Sequence, residues 1–73
     1  MPELGELLSQ LNNDCYMVRH YHSQRTAAQR LRRHQAIRKL VATLMFTFEH
    51  TDDYEAVIGT VLDGLRPRDR PPF

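Results

Sequence analysis

The chain has 73 residues, 41% of them hydrophobic, and a net charge of +1, enough apolar material for one core and too little for two. Its single cysteine, Cys15, excludes an internal disulfide, so apolar packing must hold the fold, as expected in a reducing cytoplasm. No apolar run approaches the roughly 18 residues that span a bilayer, and MPELGELL places no base ahead of its apolar positions, so the expectation is a soluble chain with no membrane anchor or signal peptide.

Leu4, Leu7, Leu8 and Leu11 recur at i, i+3, i+4 and i+7 and predict a short first helix, with Pro2 in its first turn and Glu3 and Glu6 near its positive end. Asn12, Asn13 and Asp14 predict a break near residue 13, where Asn13 or Asp14 caps the next segment. Residues 15–22, CYMVRHYH, are ambiguous. Their β-branched and aromatic content allows a strand, whereas the spacing of Met17 and Tyr21, or of Cys15, Val18 and His22, fits the preferred helix. Ser23 either caps a new helix at Gln24 or lies within a continuous one.

From Gln24 to about Glu49 there is no Gly or Pro, and Ile37, Leu40, Val41, Leu44, Met45 and Phe48 recur at helical spacing, which predicts the longest helix. At ~1.5 Å per residue it would reach ~39 Å, so its basic first half is expected to protrude or bend. Residues 40–48, nearly all apolar or threonine, are expected at the centre of the core. Phe46 falls off the stripe and is left between a packing and an interaction role. Asp52 and Glu55 resemble a capping box ahead of the stripe Tyr54, Val57, Ile58, Val61, Leu62 and Leu65. Gly64 is expected in the left-handed position that ends this last helix, with Leu65 as its apolar contact and Pro67 preventing continuation. Residues 66–73, with three prolines, are expected to form a disordered tail. The reading is all-α: a small compact helical domain of three to four helices over residues 1–65, followed by a flexible Pro/Arg-rich C-terminal tail.

Divided along the chain, the charge is segregated. Residues 1–18 carry three acids and no base, 19–39 seven bases and no acid, 40–64 five acids and no base, and 65–73 three arginines and one aspartate. Like charges at i, i+3 and i, i+4 disfavour a helix by roughly 0.2–0.5 kcal/mol per pair. Acids should therefore neutralise the basic segment, either from within the fold (Glu3, Glu6, Asp52, Asp53) or from a partner. Arginine pairs bidentately with carboxylate and phosphate alike, so both an acidic protein surface and a nucleic-acid backbone suit it.

His20, His22, His34, His50 and Cys15 lack the spacing of a structural zinc site, so no metal or cofactor is expected. Clustered histidines would soften binding to a partner below about pH 6.5. Asp52, Asp53 and Glu55 are accounted for by capping and the helix dipole. There is no Gly-rich phosphate loop and no recognisable pairing of nucleophile with base, so an enzyme is not expected. Three functions remain: a protein-binding regulator, an RNA binder built on RTAAQRLRRHQAIRKL, or an oligomeric structural module. A helix-turn-helix is disfavoured, because neither predicted junction sets the basic helix in a three-helix arrangement.

In its size, its RLRRHQAIRKL helix and its RPRDRPPF end, the chain resembles the small regulators of bacterial host RNA polymerase encoded by Xanthomonas-infecting phages, which act as transcription inhibitors and antiterminators. The resemblance implies a non-catalytic protein of the bacterial host cytoplasm that binds the large subunits of RNA polymerase. It would displace sigma factor at initiation and allow terminator readthrough, as a monomer and with RNA or DNA contact left open. On that reading the contact residues are Leu4, Glu6 and Leu7 together with Arg19, Arg30, Arg33 and Arg38.

Overall fold

In the computed structural model, which describes residues 3–66, the chain forms three helices: α1, Leu4–His20; α2, Ala27–His50; and α3, Tyr54–Leu65. Among the described residues there is no strand. The expected tail lies outside the described residues except for Arg66.

The first helix does not break at Asn12–Asp14 but runs through to His20. Its apolar stripe continues beyond Leu7 and Leu11 as Cys15 and Val18, all buried, and burying that second half outweighs the few tenths of a kcal/mol by which Asn disfavours a helix. Asp14 points inward as well, with Gln10 Nε2 donating to its Oδ1 at 3.0 Å. The helix stops at Tyr21, whose N–H donates to Met17 O.

The second helix starts later than Gln24, at a full capping box. Thr26 accepts from the Gln29 N–H at 3.1 Å, and the Gln29 side chain accepts in return from the Thr26 N–H. Ser23 is not the cap; its hydroxyl donates to Gln29 Oε1 and ties the α1–α2 connection to the same glutamine. Asp53, rather than Asp52, caps α3, accepting from the Ala56 N–H at 3.2 Å. No described glycine has a positive φ, and α3 runs through Gly64 to Leu65. Gly64 is thus a packing residue and not a left-handed terminator.

The core is small: Leu7, Leu11, Cys15, Val18, Leu40 and Val57. It lies along α1, which packs against both other helices, while α2 and α3 scarcely touch each other. Residues 40–48 are not the centre of it. Only Leu40 and Thr47 are buried there, Leu44 and Phe48 flank the core, and Val41, Met45 and Phe46 are exposed. A residue is buried only where a neighbour covers it, and α1 covers one side of the α2 stripe. Thr47, fully buried, satisfies its hydroxyl by donating to Thr43 O at 2.7 Å.

Candidate partner-binding surface

Two arginines tie the last turns of α1 and α3 and the first half of α2 together. Arg19 Nε donates to Gly64 O at 2.7 Å, and Arg33 donates from one nitrogen to Val18 O and Tyr21 O at 3.1 and 3.4 Å. Helix C-termini leave carbonyls unpaired and carry partial negative charge, so two guanidiniums placed there satisfy and neutralise them. Arg19 also lies 5.7 Å from the centre of the Tyr16 ring, within cation–π range. Arg30 donates to Gln24 O at 3.2 Å.

Arg25, Arg32 and Arg38 are exposed, and among the described residues no side chain or carbonyl accepts from their guanidiniums. The expected neutralisation by Glu3, Glu6, Asp52 and Asp53 does not occur among the described residues. The one ion pair there joins Lys39 Nζ to Asp14 Oδ1 at 3.8 Å, and the solvent-exposed lysine makes it a weak one. Asp14 Oδ2 is buried with no hydrogen-bond partner among the described residues.

Of the residues at the N-terminus, Leu7 is buried, Leu4 is half-buried, and Glu6 is exposed. Of the candidate contact residues, Arg19 and Arg33 line one groove, which Leu4, Glu6, Leu7, Arg30 and Arg38 do not. Arg19, Arg30 and Arg33 each bond the chain's own carbonyls, whereas Arg38 has no such acceptor among the described residues.

Sequence reasoning did not mark a broad apolar surface. Ile37, Val41 and Met45 on α2, and Tyr54, Ile58, Leu62 and Leu65 on α3, are all exposed, Met45 by 62% and Leu62 by 63%. Between the helices runs a groove of about 890 Å³, floored by Val18, Leu40, Leu44 and Val61 and walled by Ile37, Val41 and Leu65, with Arg19, His22 and Arg33 at its open end. Single exposed apolar residues are ordinary, but Ile37, Val41 and Leu65 surround a concavity, and apolar residues so placed mark an interaction surface. The signal was present in the sequence: α2 and α3 together offer more stripe positions than α1 alone can cover.

No family model, no curated protein and no solved structure matches the chain.

Phe46, left open by its position off the stripe, is exposed and stacks on His50 with ring centres 4.1 Å apart, and His50 Nδ1 lies 2.8 Å from Phe46 O. Among the described residues no group of three or more potential metal ligands converges. Cys15 is fully buried, and burial pushes its thiol above the ordinary value of 9.0, with Asp14 adding to the rise and Arg19 opposing it. A raised pKa keeps the thiol protonated across the neutral range, and only the thiolate reacts. Cys15 should therefore resist Ellman's reagent at about pH 8 in the folded protein and label at once in guanidinium. Rapid labelling without denaturant would mean that α1 and α3 separate readily.

Proposed function

We propose that the chain is a non-catalytic regulator that docks on bacterial RNA polymerase, inhibits initiation by competing with sigma factor, and promotes readthrough of terminators. One observation carries the protein-docking part: an apolar groove has Arg19 and Arg33 in its lining, and Arg38, unneutralised by any acid among the described residues, stands three residues from the groove residue Val41 on α2. Arginines beside exposed aliphatic residues are the composition of a protein interface, where a few apolar anchors supply affinity and the charges supply speed and register. The choice of polymerase as the partner comes from the sequence resemblance.

An RNA binder would hold the same arginines but would gain nothing from the aliphatic groove, which presents no Phe, Tyr or Trp on which bases could stack. The test is capture of purified bacterial RNA polymerase by the tagged protein, with and without nuclease, followed by transcription from a sigma-dependent promoter and across an intrinsic terminator. Nuclease-resistant capture, reduced initiation and increased readthrough are expected. Recovery of RNA alone, lost on nuclease treatment, would replace this reading with the RNA-binding one. In the same assay Arg32→Glu/Arg38→Glu should lower affinity for polymerase at least about tenfold. Its melting temperature should stay near that of the parent, because neither guanidinium bonds within the described fold. An unchanged affinity would remove the free arginines from the interface.

A further inference from the structure

The α2–α3 groove has a shape and a charge pattern that specify its occupant more closely than a generic apolar patch does. α2 and α3 leave the turn at residues 51–53 and diverge, with α1 across the back. The shorter wall, α3, has 12 residues, about 18 Å at 1.5 Å per residue, or some three turns of helix. On α2 the groove residues Ile37 and Val41 stand four residues apart, and His34 and Arg38 are spaced in the same way as a neighbouring row. His34 is three residues from Ile37 and Arg38 three from Val41, so each basic residue sits beside a groove residue on the helix surface. No acid lines the groove among the described residues, and Arg19 and Arg33 close its wide end.

We infer that the groove receives an amphipathic helix of a partner protein, about three turns long, with aliphatic or aromatic side chains at i, i+3, i+4 and i+7 and with Asp or Glu along the flank that meets α2. The apolar stripe of that helix covers Leu40, Leu44 and Val61, and its carboxylates meet His34 and Arg38. A helix fits where a strand does not, because the described backbone around the groove is helical and offers no free sheet edge. Charge complementarity fixes the flank, since a basic helix docked in the same way would set like charges against α2. This inference rests on reading the chain as a protein-docking regulator and names the chemistry of what that site grips.

The experiment uses the full chain, isotope-labelled, titrated with a synthetic helical peptide of about 18 residues carrying a leucine stripe and a glutamate flank, against the same peptide with lysine in place of glutamate. Shifts are expected at Ile37, Val41, Leu44, Val61 and Leu65, with the glutamate peptide binding at least about tenfold more tightly than the lysine peptide. Arg38→Glu should shrink that ratio, and Val41→Asp, a change at an exposed position, should abolish binding while the circular dichroism spectrum and melting temperature hold. Equal affinity for the two peptides, shifts outside the groove, or no shifts at millimolar peptide would overturn the proposal. So would sedimentation showing a dimer of this chain that disappears in Val41→Asp, since a second copy would then be the occupant. Polymerase capture separates the two levels: capture undiminished by Val41→Asp sinks the groove and leaves the regulator, while failure of the parent protein to capture polymerase sinks the regulator whatever the peptides do.

Discussion

Replacing Gly64 with valine is expected to cost about 3 kcal/mol, at the upper end of overpacking penalties. A Cβ built at this position would lie 2.8 Å from Cys15 Cβ and 3.0 Å from its Sγ. Real Cβ atoms do not approach so closely, and Cys15 Cβ cannot give way without moving its backbone. Relief requires α3 to withdraw from α1, which loosens the contact of Cys15 with Val61 O and the bond from Arg19 to Gly64 O. At roughly 4–8 °C per kcal/mol for a domain of this size, the melting temperature should fall by roughly 12–24 °C. Gly59 supplies the control. It lies in the same helix, and a Cβ added there would meet nothing within 4 Å, so Gly59→Ala should instead stabilise by about 0.5–1 kcal/mol through helix propensity. If the two substitutions behaved alike, the close approach of α1 and α3 would be wrong.

Gly64 also illustrates what could be read from the sequence. A glycine followed by leucine and proline is the ordinary sign of a helix end, and the end does fall there, at Leu65. The reason for the glycine was not legible, because it depends on Cys15, a residue far away along the chain. The same holds for Asn12–Asp14. As a tripeptide it signals a turn, yet the leucine stripe ahead of it continues in phase through Cys15 and Val18. Following the period across the polar residues would have joined the two halves.

For α2 the period was legible but the direction was not. Ile37, Leu40, Val41, Leu44, Met45 and Phe48 form a stripe wider than α1 can cover, and only the structure shows that Leu40 is taken into the core while Val41 and Met45 remain outside. The arginines divide in a comparable way. Arg19, Arg30, Arg33 and Arg38 share one side-chain chemistry, but the first three bond carbonyls at the ends or flanks of helices. A charge count cannot separate arginines that brace the fold from those that face a partner.

Leu11→Ala is expected to destabilise the domain by about 2–5 kcal/mol, the range for a leucine truncated in a packed core. Leu11 is fully buried and shares its cluster with Cys15, Val18, Leu40 and Val57, so its side chain lies among residues of all three helices. At roughly 0.05–0.15 kcal/mol per residue a domain of this length has about 4–11 kcal/mol of stability in total, and one truncation would remove a large share. The consequence reaches the groove. Since α2 and α3 touch each other so little, their separation is set through α1, and a cavity at Leu11 weakens both attachments at once. Chemical denaturation followed by circular dichroism and by the shifts of Val41 and Leu65 should show the groove resonances changing at lower denaturant than the helical signal, whereas the parent should unfold in one step by both probes. A loss under about 1 kcal/mol with coincident transitions would mean that α2 and α3 hold each other directly in solution, and a groove closed in that way would have no room for a partner helix.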